Sequence, residues 1–311
     1  MNRPLINTLF AATFALGLTA CGGGDDTATT TTPAPAPTPS PAPSPSPAPA
    51  PTPAPSPTPA PAPAPTPAAP TPSPSPAPAP SAGAGAASEC FNIAWYTPGT
   101  TAVLDYAITG SATGTTRSSM TVSGGKTFNG QTGLLEFFQD QTTTYSAPAT
   151  LASAGTIPTQ SRFYFSENGS VETEYGGTIA TSVTVAGISV STNTTVTYAP
   201  VVNDRRFTLA VGGTSTWATT LTTTSVTNFG STPATNTSET TTVTYVGQES
   251  LTVPAGTFTA CKFSVATSSG THTEWFGKGN GAPLQQTSKA SDGTAIVLSL
   301  TAATRLNGAP L

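Results

Sequence analysis

Between positions 33 and 80 proline falls at nearly every second residue, alternating with Ala, Thr or Ser. Proline fixes φ and carries no backbone N–H, so neither a helix nor a paired strand forms across such a run. Each residue ahead of a proline is also held extended. The spacing predicts a polyproline II rod with a reach on the order of 150 Å, at about 3.1 Å per residue. A Gly/Ala-rich joint over 81–88 follows it. The chain of 311 residues thus divides into 1–20, 21–88 and 89–311. Only the last zone, which holds all 3 tryptophans, has the bulky apolar residues that a core requires.

Residues 1–20 carry one charge, Arg3, ahead of an apolar run over 5–18. That run is shorter than the roughly 20 residues of a membrane-spanning helix and has the length of a signal-peptide core. It ends in Leu18-Thr19-Ala20-Cys21, which resembles the Leu-x-(Ala/Gly)-Cys box of bacterial lipoproteins. The resemblance implies cleavage before Cys21, acylation of its thiol (palmitate or a similar chain), and attachment to a membrane through this N-terminal lipid. Gly22, rather than Asp, after the cysteine implies outer-membrane sorting, with the chain facing the periplasm or the cell surface. Residues 21–88 are then a lipid-anchored stalk, and 89–311 the domain it carries.

Charged residues are 8% of the chain, against about 25% in soluble domains, and Ser and Thr supply the polar surface instead. The net charge is −4 and the bases are scattered, which excludes nucleic acid as a partner. Residues 89–311 read as β throughout, with β-branched and aromatic runs at 101–109, 133–138, 162–165, 181–190, 194–198, 207–211, 214–226, 240–245, 257–265 and 295–300. Turn signals separate them: Asn168-Gly169, Gly176-Gly177, Asn203-Asp204, Asp292-Gly293 and Val253-Pro254-Ala255-Gly256. The expected fold is all-β: an antiparallel twisted sheet curled into a partial or full barrel, or folded as a sandwich. Two motif pairs hint at a duplicated β-unit. Phe128-Asn129-Gly130-Gln131 matches Tyr245-Val246-Gly247-Gln248, and Tyr164-Phe165-Ser166-Glu167-Asn168-Gly169 matches the segment from Trp275 to Gly281.

Thr252-Val253-Pro254-Ala255-Gly256-Thr257-Phe258, a cysteine-bearing strand, and then Glu274-Trp275-Phe276-Gly277-Lys278-Gly279-Asn280-Gly281 resemble the C-terminal half of uncharacterised bacterial envelope domains. Some of those are distantly like the curved sheets of lipoprotein carriers. The resemblance spans roughly residues 240–302. Asn280 and Ala282 depart from it, standing where apolar residues are usual, and the carriers' groove-lining helices are missing from the sequence pattern. It implies β topology, an envelope location and, as one reading, an apolar ligand.

With Cys21 assigned to the lipid, Cys90 and Cys261 remain as an even pair, which in an oxidising compartment predicts a disulfide. The single histidine, His272, lies beside Glu274 without a Gly-x-Ser-x-Gly elbow or a zinc-ligand partner motif, so the strand face around it is expected to be solvated and catalytically silent. Glu172 and Glu174 share a strand face and read as an exposed edge kept soluble by charge. Gly277-Lys278-Gly279-Asn280-Gly281 has no helix after it and reads as a hairpin loop rather than a phosphate cradle. Trp95, Trp217, Trp275 and Phe276 are candidate ligand-contacting aromatics, weighed against plain core packing. No catalytic residue, metal or cofactor is expected. The function expected is a non-catalytic binding or structural domain on a stalk, contacting an envelope protein or glycan. A carrier or sensor of an apolar ligand is the alternative, with a hydrolase less favoured.

Cys21→Ala is expected to lose the lipid mass and to move the protein out of the membrane fraction. Cell fractionation and intact mass measure this, and a variant that stays membrane-bound with the same added mass rules out the anchor.

Overall fold

In the computed structural model, residues 85–185, 188–290 and 293–311 are described. The signal peptide, Cys21 and the stalk as far as residue 84 lie outside them. Ala87 is buried in the core, so packing begins just ahead of residue 89.

The described chain is an antiparallel meander. Its strands are β1 (Thr101–Gly110), β2 (Thr113–Phe128), β3 (Gln131–Ala147), β4 (Thr156–Asn168), β5 (Val171–Val185), β6 (Ile188–Asp204), β7 (Thr214–Thr227), β8 (Gly230–Ser231), β9 (Thr235–Val253), β10 (Gly256–Thr267), β11 (Gly270–Gly277), β12 (Pro283–Ala290), β13 (Ala295–Leu300), β14 (Arg305–Leu306) and β15 (Ala309–Pro310). Each long strand pairs with its predecessor, and β13 pairs back onto β1 through Tyr106↔Leu300 and Ile108↔Leu298. The result is a closed barrel of 12 strands. Short β8 extends β7, while β14 and β15 extend the edge of β1. Closure pairs the backbone groups that an open sheet would leave at two edges.

Period-2 alternation sorts the side chains. On β1 Ala102, Leu104, Tyr106 and Ile108 point inward and are buried, whereas Thr101 and Thr109 are exposed. Directly paired residues share a face, so the inward set continues through Met120 and Val122, Phe137, Phe163 and Ile179. The outward set is hydroxyl-rich, with Thr216 and Thr242 hydrogen-bonded at 3.0 Å and Thr222 bonded to Asn236 at 2.8 Å. Such an exterior is the reverse of a membrane-spanning barrel, which turns an apolar band outward. Among the described residues no helix is long and apolar enough to cross a membrane.

β2 was invisible to hydropathy because its inward positions include Thr116 and Ser118, yet it makes one of the longest ladders. The first motif pair divides: Asn129-Gly130 forms the β2–β3 hairpin turn, while Val246-Gly247 lies inside β9 beside a bulge. In the second pair both segments run off the end of a strand into a turn.

Before β1 the chain crosses one end of the barrel as a strap. Its two short 3-10 turns, Ala87–Cys90 and Ile93–Tyr96, bring Cys90 to Cys261 on β10. The two form the disulfide, with Cα atoms 6.0 Å apart, closing a separation of 171 residues. The chain-entropy model puts this at about 5 kcal/mol. The loop between β11 and β12 clamps the strap. Asn280 O accepts from Trp95 Nε1 at 2.7 Å and from Asn92 Nδ2 at 3.2 Å, and Gly279 N donates to Glu89 O at 2.8 Å. Gly281 has φ +64°, and a Cβ there would lie 2.9 Å from Asn92 Cβ, so glycine is what lets the strap seat.

Candidate functional site

The barrel interior has two unlike halves. Along β13, β1, β2, β3 and β4 it is solid, with Leu104, Ile108, Phe137 and Phe165 each at 2% exposure or less and the Phe137 and Phe165 rings stacked at 4.5 Å. Across β5 to β11 the inward side chains include several ionisable groups. Glu172 pairs in register with Glu167 and Asp204, Glu174 with Phe165 and Val202, and Glu239 with Thr219. His272 pairs with Val265 and Ser288, and Glu274 with Phe263 and Gln286. Among the described acidic residues, Glu167, Glu172, Glu174, Asp204, Glu239 and Glu274 face inward. Arg206 is the one Lys or Arg among the described residues that is fully buried.

Arg206 comes from a 3-10 turn, Arg206–Thr208, that follows β6 and folds under the barrel end. Its Nε donates to Asp204 Oδ2 at 2.6 Å and its backbone N to Asp204 Oδ1 at 2.9 Å. Its Nη1 donates to Glu274 Oε2. The other Glu274 oxygen lies 3.4 Å from His272 Nε2. Burial by itself works against the Arg206 charge, but Asp204 and Glu274 outweigh it, and the net effect raises the guanidinium pKa. The strap joins this network: Tyr96 OH donates to Glu172 Oε2 at 3.1 Å. Phe207 then packs edge-on to Phe263 and Phe276 beneath the ion pairs.

Next to this network lies a patch of inward side chains that are less tightly covered. Tyr198, Trp217, Leu221, Glu239 and Thr241 face inward by register yet are only half-buried. Burial, then the charges of Glu174 and Glu239, pushes the Tyr198 phenol up, so it stays neutral as a donor. Burial raises Glu239 as well, against a smaller opposing pull from His272. Glu167 is raised by burial and then by Glu172. No group of three or more His, Cys, Asp or Glu among the described residues is arranged to hold a metal.

Two expectations are corrected. His272 lies on no solvated face: it is 7% exposed, inside the barrel. Glu172 is buried and Glu174 shares its inward face, so the pair lines the lumen rather than an outer edge. Both errors have one cause: an i, i+2 pair identifies a face but not which side of a closed sheet it occupies. The aromatic candidates are scattered. Trp95 is buried in the strap and Phe276 in the floor. Trp275 is buried in the apolar core, its Nε1 donating to Glu249 Oε1 at 2.7 Å with Lys262 over its ring. Trp217 alone of the four is half-buried and faces inward, paired with Thr241. Arg206, Asp204, Glu239 and Tyr198 had no sequence signal beyond charge in a chain that has little of it, and Asn203-Asp204 read simply as a turn.

Removing Arg206 strands Asp204 and Glu274 in the interior. Arg206→Met is expected to destabilise the domain by about 3–5 kcal/mol in urea denaturation, and adding Asp204→Asn and Glu274→Gln is expected to recover part of that loss. His272→Ala is expected to cost about 1–3 kcal/mol, well beyond the effect of an exposed substitution. Glu239 provides a pH test. Its folded pKa is raised, so its contribution is fully present below the unfolded value near 4.5 and is lost as pH rises through the folded value. Glu239→Gln should therefore match the wild type at acidic pH and exceed it in stability at pH near 7. Equal denaturation midpoints at both pH values would contradict this.

Compared with family models, curated proteins and solved structures, the chain matches none of them.

Proposed function

We propose that this is a lipid-tethered binding protein of the bacterial cell envelope, whose barrel takes a small ligand into the less tightly covered half of its lumen without performing chemistry on it. The observation that carries the reading is the set of inward yet half-buried side chains on β6, β7 and β9: Tyr198, Trp217, Leu221, Glu239 and Thr241. Inward side chains of a closed barrel become accessible only where the interior is not filled. Aromatic faces beside carboxylates suit an organic cation, through cation–π and charge-assisted contacts. The excess of inward acid over Arg206 and His272 favours a ligand bearing positive charge.

Tethering rather than spanning fits the hydroxyl-rich exterior and the Leu18–Cys21 box, and Gly22 after the cysteine favours the outer membrane. The resemblance of the Val253–Phe258 and Trp275–Gly281 segments to envelope domains agrees with that location. Carriage of an apolar ligand is less favoured, because the apolar wall of Leu104, Phe137 and Phe165 is packed shut. The absence of a nucleophile motif in the sequence supports a binding role over hydrolysis.

Tryptophan fluorescence of the full chain, titrated separately with spermidine and with decanoate, tests the reading. Spermidine is expected to give a saturable change that Trp217→Phe abolishes and Glu239→Gln weakens. A saturable response to decanoate alone would favour the apolar carrier, and a spermidine response that survives Trp217→Phe would move the site elsewhere.

A further inference from the structure

The strap that leads from the stalk into the barrel is also part of the lumen floor. Phe91 stacks on Tyr96 at 5.3 Å and tilts against Phe207 at 5.7 Å, and Tyr96 reaches Glu172. A stalk that is pulled or swung by its anchor would, along the backbone, load residues 91–100 first and β1 next. Loading Phe91 and Tyr96 would disturb the aromatic and acidic groups under the binding half of the interior.

Cys90 precedes both aromatic residues in the chain. Its partner Cys261 lies within β10, paired to Gln248 on β9 and Phe276 on β11. From this placement we infer that the Cys90–Cys261 bridge is the mechanical attachment point of the tether: tension leaves the backbone at Cys90, enters the barrel wall at β10, and bypasses the floor. The inference rests on the proposed reading that the chain ahead of Gly85 is a tether.

Three features support it. The bridge is the first covalent link between incoming chain and barrel. The contacts ahead of it are noncovalent and weak by comparison: Tyr245 OH donates to Gly85 O at 2.8 Å, Gln248 Nε2 to Ala86 O at 3.3 Å and Gly279 N to Glu89 O at 2.8 Å, and the Glu89 carboxylate pairs with Lys278 near the surface. These hydrogen bonds would peel one at a time under load, so they cannot share it with a covalent bond. Finally, both sulfur-bearing residues are at 0% exposure, which keeps soluble thiols from the bridge. Cys261 also sits in a strand hydrogen-bonded on both sides, so a pull along the barrel axis shears two ladders together.

The test uses single-molecule force spectroscopy on the full chain, held by a handle at its N-terminus and by a ligation tag inserted at the exposed turn holding Phe229. A protease site is placed in the exposed segment Thr97-Pro98-Gly99. After cleavage the stalk is joined to the barrel only through the bridge. The expected result is an unchanged rupture-force distribution before and after cleavage, and release of the barrel by reductant only once it has been unfolded. A clear fall in rupture force on cleavage would show that residues 91–100 carry the load and would overturn the inference. As an uncut comparison, Cys90→Ala/Cys261→Ala is expected to gain an early low-force step as residues 91–100 pull free, roughly 35 Å at about 3.3–3.6 Å per residue. A wild type that shows the same early step would also overturn it. Because the handle replaces the natural anchor, these results stand apart from the fractionation of Cys21→Ala, which tests whether the chain is lipid-anchored at all.

Discussion

The pairing of β13 onto β1 is the constraint on which the remaining structure depends. It is antiparallel and short, running from Tyr106↔Leu300 to Gly110↔Ile296. Without it the meander would be an open sheet with β1 and β13 as free edges and with one face of Thr and Ser, the other of mixed apolar and charged residues. Closure converts that second face into an interior. It also explains how Glu172, Asp204 and Glu274 come to be buried in a chain with so few charges.

That interior sets two demands against each other. A barrel this wide cannot be filled by side chains from its own strands in the way a smaller one is. The half lined by Leu104, Phe137 and Phe165 meets the demand with aromatic and aliphatic bulk, helped by Trp95 and Tyr96 from the strap. The other half uses Arg206 as a central cation, brought in on a turn rather than a strand, with Asp204 and Glu274 on either side. A buried ion cluster of this kind adds little net stability because desolvating each charge costs nearly what the pairing returns. Its value is positional: it fixes β6, β11 and the turn between β6 and β7 relative to one another, beside the half-buried Tyr198, Trp217 and Glu239.

The loop Gly277-Lys278-Gly279-Asn280-Gly281 serves as a clamp for the strap that precedes β1. Gly277 and Gly281 are needed because Asn280 and Asn92, respectively, approach where a Cβ would stand. The motif therefore holds the segment that enters the barrel.

Several features were fixed by local chemistry alone. The proline alternation at 33–80, which lies outside the described residues, carries its own expectation of neither helix nor sheet. Alternating Val, Thr, Ile and aromatic residues specify strands, and β1, β9, β10 and β13 fall close to the runs read at 101–109, 240–245, 257–265 and 295–300. Two remaining cysteines predicted their bridge. Barrel closure, by contrast, depends on β13 meeting β1 from nearly 200 residues away, and no local period encodes that. The side on which Glu172, Glu174, His272 and Glu274 lie follows from closure: period 2 places them on a common face, and only the curl of the sheet makes that face the inside. Arg206 is the sharpest case. An arginine of the Arg205-Arg206 pair after a turn is, by sequence, a surface residue. It became the charge at the heart of the lumen because tertiary structure brought Asp204 and Glu274 to either side of it, and burial without them would have cost more than the fold could bear.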